Sequence, residues 1–144
     1  MLSELHEVLA GRLPGADLTV RQLRERSWWT GPEVYVVVDD YDLVVTPSGN
    51  PLLALLDFLA QGRDVGVHLI LARRVGGAAR ALYEPVLQRV KELVSPGIIL
   101  SGDPDEGPLL GPYRAMPRVP GRGLLVRRQR RSVLLQAPWL PPDP

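Results

Sequence analysis

The segment Glu33-Val-Tyr-Val-Val-Val-Asp39-Asp40 constrains the fold of this chain more than any other. It is a nearly unbroken β-branched run that stops at two adjacent carboxylates. Such a run suits a strand buried on both faces, and strands of that kind belong to parallel sheets covered by helices. A second run, Val67-His-Leu-Ile-Leu-Ala72, has the same character. Between them, segment 52–61 is apolar at 52, 53, 55, 56, 58 and 59 and reads as a buried helix, followed by Gly62-Arg-Asp-Val-Gly66. Strand, helix and strand make a βαβ unit and place the chain in the α/β class.

The flanks are punctuated in the same way. Leu2, Leu5, Val8, Leu9 and Leu13 recur at helical spacing before Pro14, so residues 2–13 read as a short amphipathic helix. A second helix is expected over 18–26, with Asp17 or Thr19 as its cap. Together they form a helical lead-in, 1–27, and the Trp28-Trp29 pair after it reads as packing. The span 33–101 holds the βαβ core, continued by two short helices within 78–95 that divide at Pro85 and by a strand at 97–101. Residues 102–122 are dense in proline and glycine and read mostly as loop, with an apolar patch at Leu109-Leu110. Residues 123–137 read as a terminal hairpin around a charged turn, and 138–144 as a proline-rich extended tail.

Composition removes several chemistries. With no cysteine, a disulfide scaffold, a zinc ribbon and a thiol nucleophile are excluded, and His6 and His68 alone exclude a multi-histidine metal site. His68 lies inside an expected strand and reads as structural. The longest charge-free stretch, 43–56, contains two prolines, an asparagine and a glycine, so no transmembrane helix fits, and the N-terminus lacks a signal-peptide h-region. The net charge is +1, but from Leu110 onward seven arginines face one acid, Asp143. Arg127, Arg128, Arg130 and Arg131 around the hairpin turn have the charge to track a phosphate backbone. No aromatic residue is interleaved, so a solvated turn or a docking surface is the better reading, and nucleic acid is not expected. Asp103, Asp105 and Glu106 lack the ligand spacing of an EF-hand and read as a solvated turn.

Asp39-Asp40 stands where open α/β sheets bind ligands, at the carboxyl end of a strand, and an acid there can hold a Mg²⁺ ion. The pattern has the shape of a Walker B motif. There the first acid holds the metal through its hydration shell, and the second, usually Glu, orients or deprotonates the attacking water. On these residues alone, an acid that merely ends a strand and begins a turn is an equal reading. No Gly-x-x-x-x-Gly-Lys-Ser/Thr occurs, the sole lysine is Lys91, and no glycine-rich loop follows a strand before Asp39. By itself the chain is therefore not expected to cradle the β- and γ-phosphates of a nucleotide.

Several blocks take their meaning together. They are Trp28-Trp-Thr-Gly-Pro-Glu-Val-Tyr-Val-Val-Val-Asp-Asp-Tyr-Asp-Leu-Val, Asn50-Pro-Leu-Leu, Gly66-Val-His-Leu-Ile-Leu-Ala-Arg-Arg74, Ala79-Arg-Ala-Leu-Tyr-Glu-Pro-Val-Leu-Gln-Arg89 and Leu100-Ser-Gly-Asp-Pro-Asp-Glu-Gly107. In this order and at this spacing the chain resembles, over nearly its whole length, the last ATPase domain of the EccC family, the FtsK/SpoIIIE-type ATPases of type VII (ESX) secretion. The resemblance implies a partial RecA-like P-loop ATPase fold that begins after the Walker A strand and helix. Such a fold has a mostly parallel sheet with flanking helices and a C-terminal β-hairpin.

The resemblance also assigns expected roles. Asp39 matches the metal acid, holding Mg²⁺ through water and with it the nucleotide, and Asp40 takes the place of the second acid, one methylene shorter than Glu. Arg73 is the better candidate for the polar sensor of the γ-phosphate, and Arg74 the second. ATP and Mg²⁺ are expected in the complete domain and none in the isolated chain. The implied role is in a motor that exports small helical WXG100-type proteins, with a degenerate scaffold as the alternative and a DNA translocase as a remoter one. The implied partners are other ATPase domains of the same motor, a hexameric assembly and the exported proteins. The implied place is the cytoplasmic side of the cell membrane, reached through other parts of the machinery. In this fold the Walker A strand pairs with the sensor strand, so 67–72 is expected to leave an apolar edge for another element to cover.

Overall fold

The computed structural model describes residues 2–127, 131–138 and 140, and the chain divides into two units between Arg73 and Arg74. In the first unit, α1 (Leu2–Ala10) sends Leu9 into the core, and His6 meets Phe58 edge-on at 5.1 Å. Helix α2 (Val20–Glu25) opens with a capping box. The Thr19 hydroxyl accepts from the Gln22 N–H at 3.2 Å, and Gln22 Oε1 accepts from the Thr19 N–H at 3.0 Å. Of the two expected caps, Thr19 is the one used.

Strands β1 (Val34–Val38) and β2 (Val67–Leu71) pair in parallel, from Val34 opposite Val67 to Val38 opposite Leu71. Helix α3 (Tyr41–Val44), a 3₁₀ turn over Pro51–Leu55, α4 (Leu56–Leu59) and α5 (Gly62–Val65) connect them. The single helix expected over 52–61 is thus wound differently. Leu52 and Leu55 of the 3₁₀ turn and Phe58 of α4 are the buried residues here, three apart, a spacing that 3₁₀ winding stacks in line and α-helical winding keeps on one face. The Asn50 side chain caps the turn by accepting from the Leu52 N–H at 3.0 Å. Burial of β1 is one-sided: Val34, Val36 and Val38 are half-buried, while Tyr35 and Val37 on the other face are 60% and 66% exposed. The expectation of two covered faces therefore holds for one face of this chain only. The outer edge of β2 has no strand beside it among the described residues.

The first unit also buries a charge. Arg12 is 8% exposed, with Nη1 donating to the Val65 carbonyl at 3.2 Å and Nη2 to the Pro32 carbonyl at 3.1 Å. Its guanidinium lies 4.3 Å from the centre of the Trp29 ring. The Trp28 indole N–H donates to the Arg12 carbonyl and that of Trp29 to the Asp64 carbonyl, both at 2.7 Å, so the tryptophans do pack as expected. Gly66, at φ +71°, passes under Trp29, where a Cβ would come within 2.5 Å of Cη2. At the start of the strands, the His68 ring N–H donates to Glu33 Oε2 at 2.8 Å, His68 stacks on Tyr35 at 4.5 Å, and Arg26 Nη1 stands 3.5 Å from Glu33 Oε1. The hydrogen bond from His68 holds the Glu33 carboxyl below the usual carboxylate range, against an opposing effect of desolvation, and Arg26 adds to it.

In the second unit, α6 (Ala78–Ala81) precedes α7 (Pro85–Glu92), which has Pro85 in its first turn and the Glu84 carboxylate accepting from the Val86 and Leu87 N–H groups. Strand β3 (Gly97–Ile99) pairs antiparallel with β6 (Arg122–Val126), and β6 with β7 (Ser132–Gln136), so the terminal hairpin forms. Among the strand ladders of the described residues only β1 and β2 pair in parallel, and a single isolated parallel bridge joins Ser101 and Met116. A short loop joins hairpin strands, whereas a parallel pair needs a crossover, and the connection between β1 and β2 supplies one. Within 102–122 the structure adds a 3₁₀ turn at Pro104–Glu106 and a small ladder of β4 (Pro108–Leu110) with β5 (Tyr113–Arg114). Leu109 of β4 joins Ala78, Ile99, Ala115 and Val126 in the core of this unit. Arg128 and Arg130 of the expected basic turn, and 141–144 of the expected tail, lie outside the described residues.

Replacing Arg12 with Ala leaves two carbonyls unpaired and the Trp29 face uncovered, and is expected to cost about 3 kcal/mol in denaturant unfolding. Arg12→Lys is expected to recover less than half, because an ammonium lacks the planar fork. Glu33 has a depressed folded-state pKa, so its contribution is present above the ordinary carboxylate range and fades as pH falls through it. Glu33→Gln is therefore expected to lower stability at neutral pH, by an amount that shrinks as pH falls below the ordinary carboxylate range, measured by unfolding across that interval.

Candidate functional site

The parallel register brings the carboxyl ends of β1 and β2 together. Beyond the last registered pair, the Ala72 N–H donates to the Val38 carbonyl at 2.8 Å, and the Tyr41 N–H donates back to the Ala72 carbonyl at 2.9 Å. Asp39 and Asp40 are therefore held in a tight turn clamped on both sides to the end of β2. Both acids are exposed. Asp39 Oδ1 accepts from the Asp40 N–H at 3.0 Å. Asp40 sits in the left-handed region, at φ +48° and ψ +52°, with no side-chain capping bond to α3. Aspartate tolerates this conformation better than most residues, yet glycine would adopt it with less strain.

Two residues not singled out from the sequence build this turn. Tyr41 is 1% exposed, and its hydroxyl receives a hydrogen bond from Asn50 Nδ2 at 2.7 Å. Asn50 thus ties the acid turn to the loop after α3, where the Thr46 N–H and the Gly49 carbonyl pair at 3.1 Å. An open cavity of about 420 Å³, lined by Thr46, Ser48, Gly49, Asn50, Pro51 and Leu53, lies on this loop. A polar pair of this kind leaves a faint sequence signal. Tyr41 follows two acids and Asn50 precedes a proline, both of which also suit exposed turns.

Arg73 directly follows the clamped Ala72 and is half-buried, so the first unit brings Asp39, Asp40 and Arg73 to one end of the strand pair. Arg74 is exposed and opens the second unit. His68, expected to be structural, is paired with Glu33 near the opposite end of β2 and takes no part in this site. The acidic loop is a turn as expected: the Asp103 carboxylate accepts from the Asp105 N–H at 2.9 Å, and Glu106 Oε1 accepts from the Gly77 N–H at 2.8 Å. Among the described residues, no three His, Cys, Asp or Glu side chains cluster to hold a metal by themselves. No described helix is long and apolar enough to cross a membrane.

No family profile matches the chain. Its sequence is 54% identical over 141 residues to the ESX-4 secretion system protein EccC4 of Mycobacterium tuberculosis, covering 98% of this chain and 11% of that protein. Its fold matches the cytoplasmic domain of the type VII secretion ATPase EccC from Thermomonospora curvata with a TM-score of 0.91 at 49% identity, over 97% of this chain and 16% of that one. A structure of ATPases 2 and 3 of the same EccC, in complex with a signal sequence peptide, also matches with a TM-score of 0.91, at 48% identity over 97% of this chain and 25% of that one. The chain spans about a tenth of the length of the curated EccC relatives it matches. The chain is thus a homologue of one segment of the EccC proteins of ESX secretion systems and has the mixed α/β fold of their ATPase domains.

Proposed function

We propose that this chain is part of the motor ATPase of a type VII secretion system, a nucleotide-linked domain that couples ATP binding or hydrolysis to the export of small helical WXG100-type proteins. The observation that carries this reading is the acid turn, with Asp39 and Asp40 exposed at the carboxyl end of a parallel pair and clamped there by Tyr41 and Ala72. The similarity to a structure that holds a signal sequence peptide supports a signal-bearing substrate as partner. Other ATPase domains of the motor, a hexameric assembly and a place on the cytoplasmic side of the membrane complete the reading.

The residues suit ATP with Mg²⁺, a hard ion that keeps several waters and needs few direct protein ligands. Asp39 offers one carboxylate oxygen to the ion's hydration shell while the other fixes the turn. When bound, the ion neutralises charge on the β- and γ-phosphates. Asp40, at the start of α3, is the group that orients or deprotonates the attacking water. Arg73, two residues past the end of β2, is the better candidate to sense the γ-phosphate, and Arg74 the second. The short Asp40 in place of Glu favours one alternative, a scaffold that binds in the motor without hydrolysis.

Calorimetric titration of ATP–Mg²⁺ tests the reading on the chain alone and with the polypeptide that precedes the matched segment in EccC relatives. The expected outcome is no heat alone and micromolar binding with that polypeptide, abolished by Asp39→Ala. Silence in both arms overturns it and leaves the scaffold. Asp40→Gly is a second check, since relief of the left-handed strain is expected to raise stability by about 0.5–1 kcal/mol. A loss of stability in thermal unfolding would show that the carboxylate supports the turn instead.

A further inference from the structure

The outer edge of β7 is open, with no strand on its far side among the described residues. Its ladder with β6 continues past both ends, where the Arg127 N–H donates to the Arg131 carbonyl at 2.9 Å and the Ala137 N–H to the Gly121 carbonyl at 2.8 Å. In an antiparallel ladder, opposed residues alternate between bonded and non-bonded pairs. Arg131 and Ala137 are in bonded pairs, so Val133 and Leu135 between them also turn their N–H and C=O groups toward β6. Ser132, Leu134 and Gln136 turn theirs outward.

Exposed edges are commonly blunted by a charge, a proline or a bulge. Ser132-Val-Leu-Leu-Gln136 has neither charge nor proline, and its register with β6 runs without a shift from Arg122 opposite Gln136 to Val126 opposite Ser132. Val133 and Leu134 are 46% and 51% exposed.

We propose that this edge pairs with the same edge of a second copy of the chain. An antiparallel pairing centred on Leu134 sets Leu134 opposite Leu134 of the second copy and Ser132 opposite its Gln136. All of these residues point outward, so each free N–H meets a free C=O. Val133 then lies opposite Leu135, apolar against apolar. The same register sets Arg131 opposite Ala137, whereas a parallel pairing would set Arg131 beside Arg131 and oppose like charges. The contact is isologous and closes after two copies, which joins the sheets into one in the order β3-β6-β7-β7-β6-β3. It does not depend on the nucleotide reading.

Sedimentation equilibrium of the full 144-residue chain tests this. A concentration-dependent dimer is expected, and Leu134→Lys, which opposes two ammonium groups across the axis, is expected to weaken it by at least about tenfold. Leu134→Cys in this cysteine-free chain is expected to form a disulfide-linked dimer under mild oxidation, because bonded antiparallel pairs hold their Cα atoms about 5.5 Å apart, within disulfide reach. Val119→Cys, at a position 60% exposed and outside β7, serves as the control. A monomer at all concentrations, a dimer indifferent to Leu134→Lys, or cross-linking of Leu134→Cys no faster than the control overturns the proposal. The cross-linking arm still decides it if Leu134→Lys fails to fold.

Discussion

The first unit depends on where Arg12 places its guanidinium. The two carbonyls it binds belong to Pro32, shortly before β1, and to Val65, shortly before β2. One rigid fork therefore sets where both strands begin. The Val34 N–H then meets the Gly66 carbonyl at 2.8 Å, and the parallel register follows down to Val38 and Leu71. A buried cation is costly unless its donors are met, and here carbonyl dipoles and an indole face meet them without a carboxylate. Neutral partners leave the charge with the fold wherever pH moves, unlike the Glu33 and His68 pair at the rim.

Register at the start of the strands becomes position at their end. Because the pairing has no slip between Val34 and Leu71, the Ala72 carbonyl arrives where the Tyr41 N–H can use it. The acid turn is then closed by a buried phenol and an amide, while its carboxylates remain in water. Asp40 holds a left-handed conformation that glycine would adopt more easily, so this turn retains backbone strain.

Much of this was legible in the sequence and some was not, for reasons that differ by residue. Strands β1 and β2, helix α7 behind Pro85 and the β6–β7 hairpin announce themselves by local runs and breakers, signals that need no partner. Asp39, Asp40 and Arg73 could be placed at one sheet end because parallel topology alone dictates it. Arg12, by contrast, looks like an ordinary cation just after a helix, and only contacts with Pro32 and Val65 bury it. His68 showed no partner because Glu33 is distant in the chain and adjacent only through strand pairing. The 3₁₀ turn over Pro51–Leu55 and the break before α4 leave no mark in the sequence, because leucine pairs satisfy both windings. The β4–β5 ladder hid among prolines that mark its ends.

The bare face of β1 and β2 bears on how the first unit responds to denaturant. Tyr35, Val37 and Ile70 are largely in water already, so unfolding adds little new apolar surface from them. The sensitivity of stability to urea and the heat-capacity increment of unfolding both scale with newly exposed surface. A βαβ segment that is covered on one side therefore melts over a broader range than its length and apolar content imply. Any molecule that covers this face sharpens the transition as well as raising its midpoint.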